Sequence, residues 1–289
     1  MTHLSIGLLC AFLAALCWGF GDFFIQKATR TIGTYQALFC IGALGSVALL
    51  PFVSSTLHVL SGHDVLLLLL LGIITTIAAV FDFEALKRGK IAVVEPVISL
   101  ELPLTVALSI SLAGDILTVT QGALITLVFI GIILTITSHP QYTFSARLFI
   151  ERGAIIAAVG AVGLALVNTL VGIASRETLP LLTIWFTHTF VALTSAIVLL
   201  LQREWPSFLT NVRRNAGVTL AQSVFDNAGW IAYAFATTVL SIAVANTIAE
   251  TYVILAVILG IAFNGERLRT SQHVGIALAI IGVLALAGL

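Results

Sequence analysis

Ten mostly apolar stretches follow one another along the chain, separated by short polar connections. Each has about the 20 residues that a helix needs to cross the hydrocarbon core of a bilayer. The pattern therefore predicts an all-α polytopic membrane protein with ten transmembrane helices. The predicted segments are residues 4–25, 33–54, 65–86, 91–112, 119–137, 153–173, 180–201, 216–237, 242–263 and 272–288.

The five segments before residue 139 and the five after residue 152 resemble each other. A shift of 151 residues superposes Ile91–Val93 on Ile242–Val244, Gly114–Asp115 on Gly265–Glu266, and Gln121 on Gln272. Because each set has an odd number of helices, the second set must insert upside down relative to the first. We therefore predict two inverted five-helix repeats, residues 1–138 and 153–289, joined by a loop at residues 139–152.

The fourth segment of each repeat carries polar residues deep within apolar sequence. The same shift pairs Glu95 with Asn246, Ser99 with Glu250, and Glu101 with Tyr252. A carboxylate near the bilayer centre costs at least ~2.5–3.5 kcal/mol on insertion scales, so it usually faces a protein interior or a cavity. Pro96 and Pro103 also free backbone carbonyls, which only neighbouring protein or water can satisfy. These positions predict a substrate pathway between the repeats.

The composition excludes a soluble fold. Hydrophobic residues make up 60% of the 289 residues, charged residues only 9%, and the mean hydropathy is +1.14. A soluble domain carries about 25% charged residues. The net charge is zero and no basic run is longer than Lys87–Arg88, which argues against a nucleic-acid partner.

The sequence contains no enzyme motif, no nucleotide-binding loop and no cluster with metal-ligand spacing. Cys10, Cys17 and Cys40 lie in apolar segments and are expected to be core residues. We therefore expect neither catalysis nor a cofactor, and no ATP-driven mechanism within this chain.

The lysines and arginines are distributed unevenly over the ten-helix arrangement, and only Arg176 falls on the less basic side. By the positive-inside rule the basic side is cytoplasmic, which predicts that both termini lie outside. The residues of the basic side are Lys27, Arg30, Lys87, Arg88, Lys90, Arg147, Arg152, Arg203, Arg213, Arg214, Arg267 and Arg269.

Each repeat closes with a glycine and an acid, a few residues, a glutamine and then a final helix with several glycines. These motifs are Gly114–Gln121 and Gly265–Gln272, and Trp18–Gly19 lies in the first helix. In these features the whole chain resembles the EamA type of the drug/metabolite transporter superfamily. The resemblance implies ten helices and small metabolites, amino acids or drugs as substrates, commonly exported. It also implies cytoplasmic termini, whereas the charges predict the opposite orientation.

Some acids lie close to the predicted basic loops, namely Asp22, Asp82, Glu84 and Glu95. Glu84 is four residues before Arg88, a spacing typical of an ion pair on a helix surface. For these acids the sequence leaves two interpretations open, a structural ion pair at a helix end or a place in the pathway.

Glu101, Asp226 and Glu250 lie deeper, each about 12–15 Å from the nearer segment end at ~1.5 Å per residue. No lysine or arginine lies at that depth within the segments. A buried carboxyl group without a cationic partner favours its protonated form. These acids therefore suit proton coupling or binding of a cationic group, and the alternative is a neutral acid that hydrogen-bonds between helices.

Helical spacing adds neighbours to the deep acids. Asn246 and Glu250 share a helix face, as do Asp226, Trp230 and Tyr233. Acids among aromatic rings can hold an ammonium group by charge and cation–π contact, although a single Trp or Tyr also fills helix interfaces. The predicted pocket consists of Glu101, Glu250, Asp226, Glu95, Ser99, Asn246, Tyr252, Trp230, Tyr233, Trp18, Asp22, Asn168 and Asp82.

A shift of 146 residues aligns Asp22 with Asn168 in the first segments of the two repeats. His188 was not assigned to the pocket, because its equivalent in the first repeat is a glycine and a lone intramembrane histidine usually serves a helix interface.

Together these features predict a secondary active transporter in the cytoplasmic membrane. It would move a small metabolite, an amino acid or a cationic or neutral drug-like solute, by export coupled to protons. A passive facilitator remains an alternative, as does a membrane partner or lipid-handling protein without transport. The expected partners are the solute, the coupled proton and the lipid bilayer, and the sequence does not determine the oligomeric state.

Overall fold

The computed structural model describes residues 3–88, 94, 97–137, 152–255 and 270–289, which form helices joined by short turns. No β-strand occurs among these residues. The helices are α1 (His3–Ile32), α2 (Thr34–Val53), α3 (Gly62–Arg88), α4 (Glu101–Leu112), α5 (Val119–Thr137), α6 (Arg152–Glu177), α7 (Pro180–Leu201), α8 (Trp205–Arg214), α9 (Ala216–Thr237), α10 (Ile242–Ala249) and α11 (Thr270–Ala287).

Six helices of the described chain are long and apolar enough to cross a membrane: α1, α2, α3, α6, α7 and α11. Three shorter apolar helices are Glu101–Leu112, Val119–Thr135 and Ile242–Leu255. The prediction of an all-helical, multi-pass membrane protein is therefore confirmed.

The fourth segment of each repeat is interrupted at the equivalent position. Ser99 and Leu100 form a turn between helical residues 97–98 and α4. Glu250 and Thr251 form the matching turn between α10 and helical residues 252–255. The sequence predicted continuous helices over 91–112 and 242–263, so these interruptions correct that prediction. The remaining residues of both segments lie outside the described part of the chain.

Pro103 accounts for the first interruption. Proline has no N–H to donate to the carbonyl oxygen of Ser99, four residues earlier. That oxygen accepts a hydrogen bond from the backbone N–H of Leu102 at 3.3 Å instead. The second turn has no proline but contains the same type of hydrogen bond, between residues three apart. The backbone N–H of Thr251 donates to the carbonyl oxygen of Ile248 at 3.2 Å. Bonds of this kind tighten the backbone locally.

The helices of the first repeat pack against those of the second in a symmetrical pattern. α1 packs along α9 and α3 along α6, while α2 packs along α7 and α5 along α11. α4 contacts α6, and α10 contacts α1. Exchanging the two repeats interchanges the α1–α9 and α3–α6 contacts, and likewise the α4–α6 and α1–α10 contacts. The α2–α7 and α5–α11 contacts are each converted into themselves. Neither repeat therefore forms a separate core, and the largest buried cluster draws residues from both.

The first helices of the two repeats, α1 and α6, run in opposite directions. α1 finishes beside the end of α3, where Arg30 donates to the carbonyl oxygen of Leu86 at 3.3 Å. α6 begins there, since Ala157 belongs to the same buried cluster as Leu86. We call this the basic end, because Lys87 and Arg88 also lie in the last turn of α3.

The other end of the bundle is marked by the finish of α6. There Glu177 pairs with His63, near the start of α3, at 3.1 Å. We call this the opposite end.

α8 is a short amphipathic helix that lies at the basic end, within the polar connection between the seventh and eighth predicted segments. Trp205 and Phe208 of α8 both contact Phe39 of α2, with ring centroids 5.3 and 5.2 Å away. The side chain of Gln36 donates a hydrogen bond to Glu204 at 3.3 Å and accepts one from Asn211 at 3.1 Å. These two hydrogen bonds connect the start of α2 to α8. No residue of α8 is buried, which fits a helix at the membrane surface.

Candidate functional site

A cavity of about 100 Å³, which we call the central cavity, lies between the two repeats. Helices α1, α3, α6, α7 and α9 supply most of its wall, together with residues beside the two interrupted helices. The polar and aromatic residues of this wall are Trp18, Asp22, Thr75, Asp82, Phe83, Glu101, Asn168, His188, Asp226, Trp230 and Tyr252. A polar cavity at the interface of two repeats is the usual position of a transporter's binding site.

Most of the residues predicted for the pocket line this cavity: Trp18, Asp22, Asp82, Glu101, Asn168, Asp226, Trp230 and Tyr252. Tyr233 and Glu250 lie behind the wall and contact residues in it. Ser99 lies in the first helix interruption and Asn246 in the last turn of α10, and both residues are buried. Glu95 lies outside the described residues.

Glu101 and Glu250 face each other at hydrogen-bonding range from the two interrupted helices. Glu101 is the first residue of α4, and Glu250 follows the last residue of α10. Both side chains are buried, at 5% and 1% exposure. Among the described residues no donor group reaches either carboxyl oxygen of Glu250. A hydrogen bond between two carboxyl groups requires a proton on one of them.

The wall of the cavity beside this pair is aromatic. The ring of Trp18 lies 5.0 Å from that of Trp230, 5.4 Å from that of Tyr233 and 6.4 Å from that of Tyr252. Tyr233 donates its hydroxyl hydrogen to the carbonyl oxygen of Asn168 at 3.2 Å. Of the aromatic residues predicted to share a face of α9, Trp230 thus lines the cavity, whereas Tyr233 packs behind its wall.

His188 lines the cavity, although the sequence interpretation left it out. Its Nε2 atom lies 3.6 Å from a carboxyl oxygen of Asp226, which is on a different helix. Gly45 of α2 provides the space for this histidine, because a Cβ there would come within 2.8 Å of Nδ1. The sequence does show that His188 is a polar residue inside an apolar segment. Its contact with Asp226, however, depends on how α7 packs against α9.

The acids near the basic end divide into two groups. Glu84 forms the structural pair suggested by its spacing, with Arg88 at 2.6 Å, and it accepts a hydrogen bond from Thr34 at 2.6 Å. Asp22 and Asp82 instead line the cavity. The sequence left both interpretations open for each of them.

The cavity occupies the half of the bundle toward the basic end. Ile25, Phe83 and Leu86, which lie near the finish of α1 and α3, belong to its wall.

The opposite end is held together by a network around Arg176. This arginine donates to the carbonyl oxygens of Thr237 at 2.8 Å and Leu240 at 3.0 Å, and pairs with Asp115 at 3.3 Å. Asp115 also accepts from the backbone N–H of Ala243 at 3.1 Å. The network joins the ends of α6 and α9 to the start of α10 and to the turn after α4.

Comparison with known proteins agrees with this architecture. The profile of the EamA-like transporter family matches residues 5–137 and 151–288. A solved crystal structure of 18% sequence identity has a TM-score of 0.75 and covers 98% of this chain and 96% of its own, which shows a common fold. No curated protein matches the chain. The match over both halves shows that this integral membrane protein belongs to the EamA-like transporter family.

Proposed function

We propose that this protein is a secondary active transporter that exports a small cationic, zwitterionic or neutral solute across the cytoplasmic membrane in exchange for protons. Its ten transmembrane helices form two inverted repeats, residues 1–138 and 153–289, with residues 139–152 between them. The six long apolar helices, the three shorter ones and α9 support this count. The opposite directions of α1 and α6 support the inversion.

The observation that carries the proposal is the contact between Glu101 and Glu250 at the two helix interruptions. Each repeat contributes one carboxyl group, so rearrangement of the repeats changes the distance between them. A proton is held when the groups touch, whereas separation or an approaching cation favours its release. This provides a physical link between solute binding, proton release and alternating access.

The charge of the cavity supports selection against anions. Its wall contains Asp22, Asp82, Glu101 and Asp226, and the described residues of the wall include no lysine or arginine. The rings of Trp18 and Trp230 add π-faces that attract an ammonium group. Cationic groups are therefore preferred to phosphates or carboxylates.

A passive facilitator is the second candidate. It would use the same cavity, and its carboxyl groups would serve only as hydrogen-bonding groups for the solute. The membrane-partner interpretation has less support, because a polar cavity between repeats serves a solute and not a neighbouring helix.

The test is transport into proteoliposomes that contain a pH-sensitive dye, with pooled amines, amino acids and sugars as solutes. Wild type, Glu101→Gln and Glu250→Gln are compared, and Asp64→Asn is the control because Asp64 is a half-buried acid at the start of α3, outside the cavity. We expect solute-dependent proton flux in wild type and Asp64→Asn. In Glu101→Gln and Glu250→Gln, the flux should fall to the level of empty liposomes.

Solute movement without proton flux, unchanged in both glutamine variants, would support the facilitator and contradict proton coupling. Absence of movement for every solute class, with the protein folded and inserted, would contradict transport itself.

A further inference from the structure

A second cavity lies beside the polar one, on the other side of Tyr252. Its volume is about 270 Å³, and its described wall is formed by α1, residues 251–255 and α11. The wall is almost entirely apolar and includes Ala15, Leu16 and Leu284. Leu16 and Leu284 are 52% and 62% exposed on the side of the bundle that faces lipid. We call this second cavity the lateral groove.

Tyr252 belongs to the walls of both the central cavity and the lateral groove. Its ring lies close to that of Trp18, with ring centroids 6.4 Å apart. Thr251, which lies in the turn beside Glu250, also lines the groove. One aromatic side chain thus stands between the carboxyl groups and an apolar space.

The central cavity alone is too small for most organic solutes. Its volume of about 100 Å³ is below the ~150 Å³ of an engineered cavity that holds benzene. Typical ligand pockets have ~300–1,000 Å³. The polar cavity therefore accommodates an ammonium group with its nearest carbons, and any larger apolar part of a solute needs another space. The lateral groove is the adjacent space of suitable size and chemistry.

We propose that the substrates are amphipathic amines, whose ammonium group lies in the central cavity and whose apolar tail passes Tyr252 into the lateral groove. This inference rests on the proposed function and specifies its substrate class. Carboxyl groups on one side of Tyr252 and aliphatic side chains on the other match the two ends of such a molecule. In this arrangement the Tyr252 side chain rotates to let the tail pass between the two spaces.

The experiment measures the affinity of ethylammonium, butylammonium and hexylammonium for the protein in nanodiscs, by calorimetry. Each buried methylene lowers the dissociation constant roughly fourfold. Leu16→Trp and Leu284→Trp fill the groove from its two walls. Leu13→Trp and Ile281→Trp are the matched controls, because these residues are 46% and 59% exposed on the same helices and are outside the groove.

We expect the dissociation constant of wild type and both controls to fall with chain length. In the two groove variants, ethylammonium should bind as in wild type, whereas hexylammonium should bind at least tenfold more weakly than to wild type. An equal dependence on chain length in all five proteins would overturn the tail site. If ethylammonium binds and chain length has no effect in wild type, only the tail site fails. If no amine binds at any length, the cationic selectivity of the proposed function fails as well.

Discussion

Gly42 and Gly45 lie on the face of α2 that packs against α7, and neither leaves room for a side chain. A Cβ on Gly42 would come within 2.5 Å of the backbone oxygen of His188 and 2.8 Å of the nitrogen of Ala192. A Cβ on Gly45 would collide with the side-chain oxygen of Asn227. Because the obstacles at Gly42 are backbone atoms, a larger residue there must push the two helices apart.

We therefore expect Gly42→Ala to lower the free energy of unfolding by about 1–3 kcal/mol, the usual cost of overpacking. Gly122→Ala is the control, since Gly122 lies in α5 with nothing within 4 Å of the added Cβ. That change should raise stability by about 0.4–1 kcal/mol, because alanine restricts the unfolded chain. Thermal unfolding in detergent measures the change in stability of both variants. Equal changes in Gly42→Ala and Gly122→Ala would contradict the packing argument.

The sequence could predict many of the cavity residues because polar side chains are rare in apolar segments. Glu101 and Asp226 are examples, whereas Trp18 was predicted from the resemblance to the EamA type. The sequence could not decide whether Asp82 forms an ion pair at the helix end or lines the cavity. In both cases the residue lies close to basic residues in the sequence. The pairing of His188 with Asp226 required the packing of two helices, which spacing along one helix does not contain.

At the scale of elements, the apolar segments were predictable and their interruptions were only partly so. Pro103 marks the first interruption, but the turn at Glu250 has no proline and follows from the repeat alone. α8 was missed because a search for long apolar stretches does not register a short helix with one apolar face. Its aromatic residues pack on Phe39, and that contact is visible only in the folded chain.

The network of Arg176 is an element-scale feature, since one side chain joins two helix ends and the start of a third. We expect Arg176→Gln to lower the free energy of unfolding by about 1.5–3 kcal/mol, the range for hydrogen bonds to charged groups. Arg214→Gln, at the exposed end of α8, should change stability by less than ~0.5 kcal/mol.

Unfolding of the two variants in detergent provides the comparison. A similar small change in both would mean that the opposite end is held by apolar packing and not by this network.

At the scale of the whole molecule, charge distinguishes the two ends of the bundle. Lys87 and Arg88 lie at the basic end with the arginines of α8, whereas Arg176 lies at the opposite end. The positive-inside rule then predicts that the basic end is cytoplasmic. With this orientation, the central cavity lies in the half of the bundle nearer the cytoplasm.

A pair of single-cysteine variants tests this orientation in intact cells. Ser55→Cys lies in the exposed turn between α2 and α3 at the opposite end, and Ser207→Cys lies on exposed α8 at the basic end. Both are made with Cys10, Cys17 and Cys40 replaced by alanine. We expect a membrane-impermeant maleimide to label Ser55→Cys from outside and to label Ser207→Cys only after the membrane is opened. The reverse pattern would mean that the termini are cytoplasmic.

The position of the cavity also has an electrical consequence. Water entering the cavity from the basic end would carry the potential of that side down to Glu101. Most of the transmembrane voltage would then fall across the layer around Arg176. Moving one elementary charge through the whole voltage involves about 2.3 kcal/mol per 100 mV. A cation that binds from the basic end crosses little of this field, whereas the conformational step that exposes it to the other side crosses most of it. Membrane voltage would therefore change the rate of that step and leave the apparent affinity for the loading solute nearly constant.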